Sequence, residues 1–98
     1  MNTIKLNDLE LEVTGYSKNI YFNGNIMSSN ASCQVVTNNS EAIINLAKET
    51  ITSIQIKHDN EVIYDLPDIN AKVTSINEYL NINKVDVNMA LAFEDEEL

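Results

Sequence analysis

The chain has one histidine, His58, and one cysteine, Cys33. His58 precedes Asp59, and an imidazole beside a carboxylate is the beginning of an acid–base pair. Such a pair also needs a nucleophile or a substrate held in a cleft. The pair falls on a hairpin loop in the reading below, so we read His58 as an exposed turn residue. Cys33 is flanked by Ser32 and Gln34. A reactive thiol needs a nearby cation or helix N-terminus, and neither neighbour supplies one, so we read it as a buried structural side chain. Carboxylates are plentiful, but Glu10 and Glu12 stand two apart on one strand face, and Asp59-Asn60-Glu61 lacks the spacing and glycine of a calcium loop. The two glycines, Gly15 and Gly24, cannot make a phosphate loop, and CxxC, HExxH and GxSxG motifs do not occur. The expectation is a non-enzyme without cofactor or metal.

Charge narrows the partners. The net charge is −9 in 98 residues, and all six cations are lysines. Such a chain is poorly suited to phosphate backbones or to an anionic membrane surface, so we expect neither direct nucleic-acid binding nor membrane binding. An acidic exterior suits a protein partner. The N-terminus, MNTIKLNDLE, has no apolar core of a secretory signal, and no apolar run approaches the ~20 residues of a membrane helix.

The elements that position these groups are mostly strands. Thr3 to Val13 reads as a hairpin around Asn7-Asp8, a two-residue type I′ turn pairing Leu6 with Leu9 and Ile4 with Leu11. Gly15 should break the second strand. Tyr16 to Phe22 follows, with Ile20 and Phe22 on one face and Tyr21 on the other, and then the Asn23-Gly24 turn signal. Ile26 to Asn30 fits either a strand or a loop. Ala31 to Thr37 is a strand that faces Ala31, Cys33 and Val35 one way. Asn39 or Ser40 can cap a helix at about 40–50, with Ile43, Ile44, Leu46 and Ala47 as its stripe.

Ile51 to Leu66 reads as a second hairpin, around which we expect the other strands to pair. A three-residue loop, His58 to Asn60, sets Lys57 opposite Glu61, Ile56 opposite Val62 and Ile54 opposite Tyr64. Pro67 ends the second strand. Ala71 to Leu80 is read as a strand, although Val73, Ile76 and Leu80 also fit a helical face. Lys84 to Glu94 alternates cleanly: Val85, Val87, Met89, Leu91 and Phe93 point one way, while small Ala90 and Ala92 suggest a covered outer face. The fold class is therefore α+β, mainly β: an antiparallel sheet, sandwich or small barrel of about 7–8 strands with one short helix. Residues 1–93 form one β-rich domain, and 94–98 an acidic C-terminal tail that is frayed or solvated.

If the sites are surfaces, tyrosines are natural anchors. Of Tyr16, Tyr21, Tyr64 and Tyr79, at least two should be core-edge residues; Tyr21 is the first interface candidate, since it faces away from Ile20 and Phe22. Ile63, on the polar face of the second hairpin, is another candidate, as is Leu98 with the acidic tail.

The run ITSIQIKHDNEVIYDLPDINAKVTSINEYL and the alternating VDVNMALAF resemble small β-rich proteins of bacteriophages and prophages of AT-rich bacteria. That resemblance implies one of two roles, in the virion or the host cytoplasm. The first is a virion structural or assembly component of a tail or head surface, contacting itself or other virion proteins. The second is an acidic inhibitor of a nucleic-acid-binding host defence protein, such as a basic nuclease. It would resemble anti-CRISPR DNA mimics, with Glu10, Glu12, Glu61, Asp65, Asp86 and Glu94 standing in for phosphates.

Overall fold

The computed structural model describes residues 1–97. It contains strands β1 (Asn2–Leu6), β2 (Leu9–Asn23), β3 (Ile26–Thr37), β4 (Ile54–His58), β5 (Glu61–Leu66), β6 (Ala71–Leu80), β7 (Val85–Phe93) and β8 (Glu96–Glu97), with helix α1 (Glu41–Leu46) between β3 and β4. All pairings are antiparallel, in the order β5-β4-β1-β2-β3-β7-β6, and β8 pairs with β3 off this path. The chain is thus one curled sheet, not a sandwich, and it is not closed into a barrel.

The curl is forced by connectivity. Laid flat, β5 and β6 would lie about 29 Å apart, six spacings of ~4.8 Å. Residues 67–70, which join them, reach at most about 18 Å. The outer strands must therefore swing toward each other. They do not pair, but the chain just before β4 bridges the gap. Ile51 and Ala71 exchange backbone hydrogen bonds of 2.8 and 3.0 Å, and the Ile69 amide donates to the Thr52 carbonyl at 3.0 Å. Tyr16 on β2 and Tyr64 on β5, with two strands between them in the sheet, bring their rings to 5.2 Å at an interplanar angle of 51°.

Three bulges supply the bending. Thr14 on β2, Ile63 on β5 and Thr74 on β6 are each an extra residue against the neighbouring strand, and a bulge increases local twist and bends its strand. Both threonines hydrogen-bond across the distortion: Thr14 Oγ1 donates to the Gln34 carbonyl at 3.3 Å, and Thr74 Oγ1 to the Ala90 carbonyl at 3.2 Å. Gly15 does not break β2. It sits beside a bulge, where a Cβ would meet Gln34 Oε1 at 2.4 Å. Gln34 lies there because its Nε2 donates to Ser32 Oγ at 2.8 Å and to Asn88 Oδ1 at 3.0 Å.

The concave face holds the core. Ile4 and Leu6, Val13, Ala31, Cys33 and Val35, Ile54 and Ile56, Ala71, and Val87, Met89 and Leu91 are all buried, with Ile43 and Leu46 from α1 and Ile51 packed among them. The helix is shorter than expected. Its last turn tightens into i→i−3 bonds, Lys48 to Asn45 and Glu49 to Leu46. Ser40 makes no side-chain cap bond; Asn39 Oδ1 accepts from the Glu41 amide at 2.9 Å instead. Ile44 was expected in the buried stripe but is exposed, because six helical residues present little more than one narrow stripe to the sheet.

The first hairpin has the expected register. Of its two turn residues only Asn7 has positive φ, at 54°, which is the pattern of a type II′ turn, not I′. The side chain of Asn7 explains the choice. Its Oδ1 accepts from the Thr52 amide at 2.8 Å and from Thr52 Oγ1 at 3.1 Å, and its Nδ2 donates to the Thr50 carbonyl at 3.0 Å. The second hairpin departs from expectation. Asp59 and Asn60 both have positive φ, 48° and 71°, so the turn has two residues. The bulge at Ile63 then restores the phase, pairing Ile56 with Tyr64 and Ile54 with Leu66. This hairpin lies at one side of the sheet with β5 outermost, and the centre belongs to β1, β2 and β3.

Asn7 thus staples a turn to the segment leading into β4. Asn7→Ala loses three side-chain hydrogen bonds and strains a left-handed backbone, so it should cost about 2 kcal/mol, given ~1 kcal/mol for each net hydrogen bond less solvent compensation. Asn7→Gly keeps the backbone freedom and should cost less. Urea unfolding of both variants checks the order; equal losses would show that the positive φ at Asn7 contributes nothing.

A candidate interaction surface on the projecting hairpin

β2 and β3 outrun the rest of the sheet. β7 follows β3 only as far as the pair Asn30–Ala92, and the hairpin continues to Gly24. Gly24, with φ of 61°, occupies the first position of a two-residue turn closed by Asn23 and Ile26, the place where a type II′ turn calls for glycine. β2 has 15 residues, about 50 Å at ~3.3 Å each. The longest dimension of the molecule is 47 Å, so this arm sets it.

The alternation that fills the core runs on into the arm after the core has ended. Tyr16, Lys18, Ile20 and Phe22 continue the concave face, opposite Cys33, Ala31, Ser29 and Met27. Tyr16 is half-buried, and Lys18 Nζ lies 4.6 Å from the Phe93 ring centre. Beyond that cation–π contact, Ile20 and Phe22 are uncovered, Phe22 at 68% exposure, and Tyr21 and Ile26 on the opposite face are exposed as well, Tyr21 at 53%. The tip thus carries apolar groups on both faces. Tyr21 is exposed as expected of an interface anchor, whereas Ile20 and Phe22, set opposite it, are exposed too. The length of the uninterrupted β pattern from Tyr16 to Ser28 was the signal: the strands are longer than their neighbours.

Ile63 is exposed at 59% as the extra residue of the β5 bulge. The six acidic candidates do not gather. Across the outer face, Glu12 follows Lys57 and Thr3 in one row and is two strands from Asp86, about 10 Å. In the next row Asp65 and Glu10 are separated by Gln55 and Lys5. Glu61 stands opposite His58. Asp86 accepts from Asn81 Nδ2 at 3.0 Å, and Glu94 from Asn70 Nδ2 at 2.6 Å. Lysines and neutral side chains interleave with Glu10, Glu12 and Asp65 on the outer face, whereas Glu94 opens an unbroken acidic run to Glu97.

The tail, expected to be frayed or solvated, returns to the sheet with its acids in solvent: Glu96 and Glu97 pair with Met27 and Ile26 as β8, with both side chains exposed. Leu98 lies outside the described residues. Ala92 is exposed and Ala90 half-buried, so nothing among the described residues covers that outer face at Ala92. A second exposed apolar group sits on the β6–β7 turn, where Leu80 and Ile82 are 86% and 97% exposed.

His58 and Cys33 are not brought together. His58 pairs with Asn2 and Glu61, and Cys33 with Tyr16 and Met89. His58 Nε2 is 3.4 Å from Asp59 Oδ2, but Nδ1 is engaged by Asn2 Oδ1, and Asp59 Oδ1 takes the Met1 amino group at 2.6 Å. That amino group holds the Asp59 carboxyl below the usual range. Burial pushes the Cys33 thiol up to about 12. Burial, followed by the Tyr64 hydroxyl 3.4 Å away, also raises the Tyr16 phenol. Among the described residues, no group of three or more His, Cys, Asp or Glu side chains is placed to hold a metal ion, and no helix is long and apolar enough to cross a membrane.

No protein-family model matches the chain, and neither do curated proteins or solved structures compared with it.

The raised Cys33 group sets an alkaline dependence. In the unfolded chain the thiol loses its proton near pH 8.5, while in the fold it keeps it to about 12. The folded state binds the extra proton in that window, so stability falls as pH rises through it, by up to about 1.4 kcal/mol per pH unit. Urea titrations from pH 8 to 11 should show the decline, and Cys33→Ala should flatten its part of the slope while lowering stability at all pH values. An unchanged slope would place the thiol in contact with water.

Proposed function

We propose that the chain is a non-enzymatic assembly domain that works through protein–protein contacts, as a structural component of a bacteriophage tail or head surface. The observation that carries this reading is the projecting β2–β3 arm with uncovered apolar side chains on both faces. A curled, internally stapled body is a rigid mount, and a long hairpin is a lever that reaches a neighbour. An exposed apolar cluster on a small domain marks a contact site more often than a solvated surface. Loss of water from Phe22, Ile20 and Tyr21 on docking is the main driving force, at about 25 cal/mol per Å² of apolar area covered. The resemblance of the second half of the chain to small phage proteins supplies the setting, and the partners are other virion proteins or further copies of this one.

The net charge of −9 favours a second reading, an acidic inhibitor seated in the basic groove of a host nuclease. The interleaving of Lys5 and Lys57 with Glu10, Glu12 and Asp65 on the outer face weighs against it, since a stand-in for a phosphate backbone needs carboxylates with few cations among them.

Phage particles purified on a density gradient and probed with an antibody to the chain test the assignment. The chain should band with the particles, and the double variant Ile20→Ser, Phe22→Asp should be absent from them while melting within about 2 °C of the parent, as expected for surface changes. A chain missing from particles that binds a basic nuclease, with affinity falling steeply between 50 and 500 mM salt as expected of a charge-driven contact, would move the assignment to the inhibitor.

A further inference from the structure

The docking reading leaves open what meets the arm, and the edges and charges of the arm point to one occupant. On its β3 side the arm is mostly covered: β7 pairs as far as Asn30 and β8 covers Ile26 and Met27, leaving only the two-residue gap of Ser28 and Ser29. The covering strand carries Glu96 and Glu97, both exposed, which further discourages an approaching strand. On its β2 side the arm is open. β1 leaves β2 at Glu12, and from Ser17 to Asn23 the other edge of β2 has no backbone partner among the described residues.

The charge is divided just as sharply. From Val13 to Ser40 the only charged residue is Lys18, and it lies against Phe93. All fifteen acids and the other lysines belong to the rest of the chain. Two bodies of this kind repel one another. The acids nearest the arm tip, Glu96 and Glu97 of β8, lie on its β3 side, two strand spacings or about 10 Å from β2, so two β2 edges can meet with most of the repulsion, which decays over ~8 Å at physiological salt, held at a distance. A basic partner would be drawn to the acids of the body and of β8, not to the β2 edge, where Lys18 is the one charged residue, and a strongly acidic partner would be repelled before reaching it.

Resting on the docking reading, we propose that two copies of the chain join arm to arm through the open edge of β2, over Ser17–Asn23, as an antiparallel pair about a two-fold axis. The contact is isologous, so each arm is both edge and cap. It makes a four-stranded ribbon from two hairpins. Ile20 and Phe22 then gain cross-strand neighbours on one face and Tyr21 on the other, and the unpaired amides and carbonyls of the edge are satisfied.

Sedimentation velocity on the full chain, from 5 to 500 μM and at 50 and 500 mM NaCl, reads the association. A monomer–dimer equilibrium is expected that tightens several-fold as salt screens the bodies, the opposite of a charge-driven contact. A cysteine scan from Ser17 to Asn23 then locates it, with the buried Cys33 unreactive in the background. Oxidation should give a disulfide-linked dimer at the one or two positions nearest the axis and little elsewhere. Ile20→Lys should weaken the dimer at least tenfold, while Leu80→Ser with Ile82→Ser, on the turn between β6 and β7, should leave it unchanged. A chain monomeric at 500 μM overturns the pairing. So does association lost through the Leu80/Ile82 variant, which would indicate a head-to-tail contact. If the chain is monomeric yet arm variants still vanish from particles, self-pairing fails while the docking reading survives. If it dimerises through β2 but is absent from particles, the assignment to the virion fails alone.

Discussion

Pro67 to Asn70 is a short tether between the two strands that would lie farthest apart in a flat sheet. Its length sets a limit that the sheet can meet only by bending, and much else follows. Bending makes a concave side, so a single sheet with one six-residue helix can bury Ile4, Leu6, Cys33, Ile54 and Met89 fully without a second sheet. It brings Tyr16 to Tyr64 and Ile51 to Ala71 across the mouth. It also explains the three bulges, because each relieves a strand that must twist more than regular pairing allows.

A strand longer than its neighbours has no such constraint. Once β2 and β3 pass the Asn30–Ala92 pair, the sheet no longer closes over them, and side chains that continue the core pattern stand in water. Along the arm β2 and β3 supply only Lys18; Glu96 and Glu97 of β8 flank the arm on its β3 side, and most of the acids sit on the body. The molecule therefore separates two jobs. The body carries the repulsion that keeps copies apart and the packing that keeps the shape, and the arm carries the apolar surface and open backbone edge that can be used for contact.

The strand content was legible because burial on one face imposes a two-residue period. The core sets Ile4–Leu6, Cys33–Val35 and Val87–Met89–Leu91 are visible as alternation in the chain itself. Bulges are where that legibility failed. Val13 and Tyr16 are three apart, as are Val73 and Ile76, and in each case an extra residue between them resets the phase so that both face inward. Read as spacing alone, the first looks like a break at Gly15 and the second like a helix. Ile63 misleads in the same way, since a two-residue turn plus one bulged residue sets Ile54 and Ile56 on one face with Tyr64 and Leu66, as a three-residue loop also would. Of the candidate surface, Tyr21 was legible from its neighbours, but Ile20 and Phe22 carry the signature of a core strand and differ only in lying past the end of the core among the described residues.

The sequence by itself determined the class of the fold, the position of its turns, the buried face of the regular strands and the acidic character of the exterior. Those follow from local rules: side-chain period, φ preference at Asn and Gly, and the count of ionisable groups. Only the tertiary structure decided that the strands form one curled sheet, that the hairpin of β4 and β5 lies at its side, that Glu10, Glu12 and Asp65 interleave with Lys5 and Lys57 on the outer face, and that the arm stands clear of the body. Those depend on which strands pair and where each pairing stops. That is a property of long-range contacts and of a four-residue link, and it leaves no periodic mark in the chain.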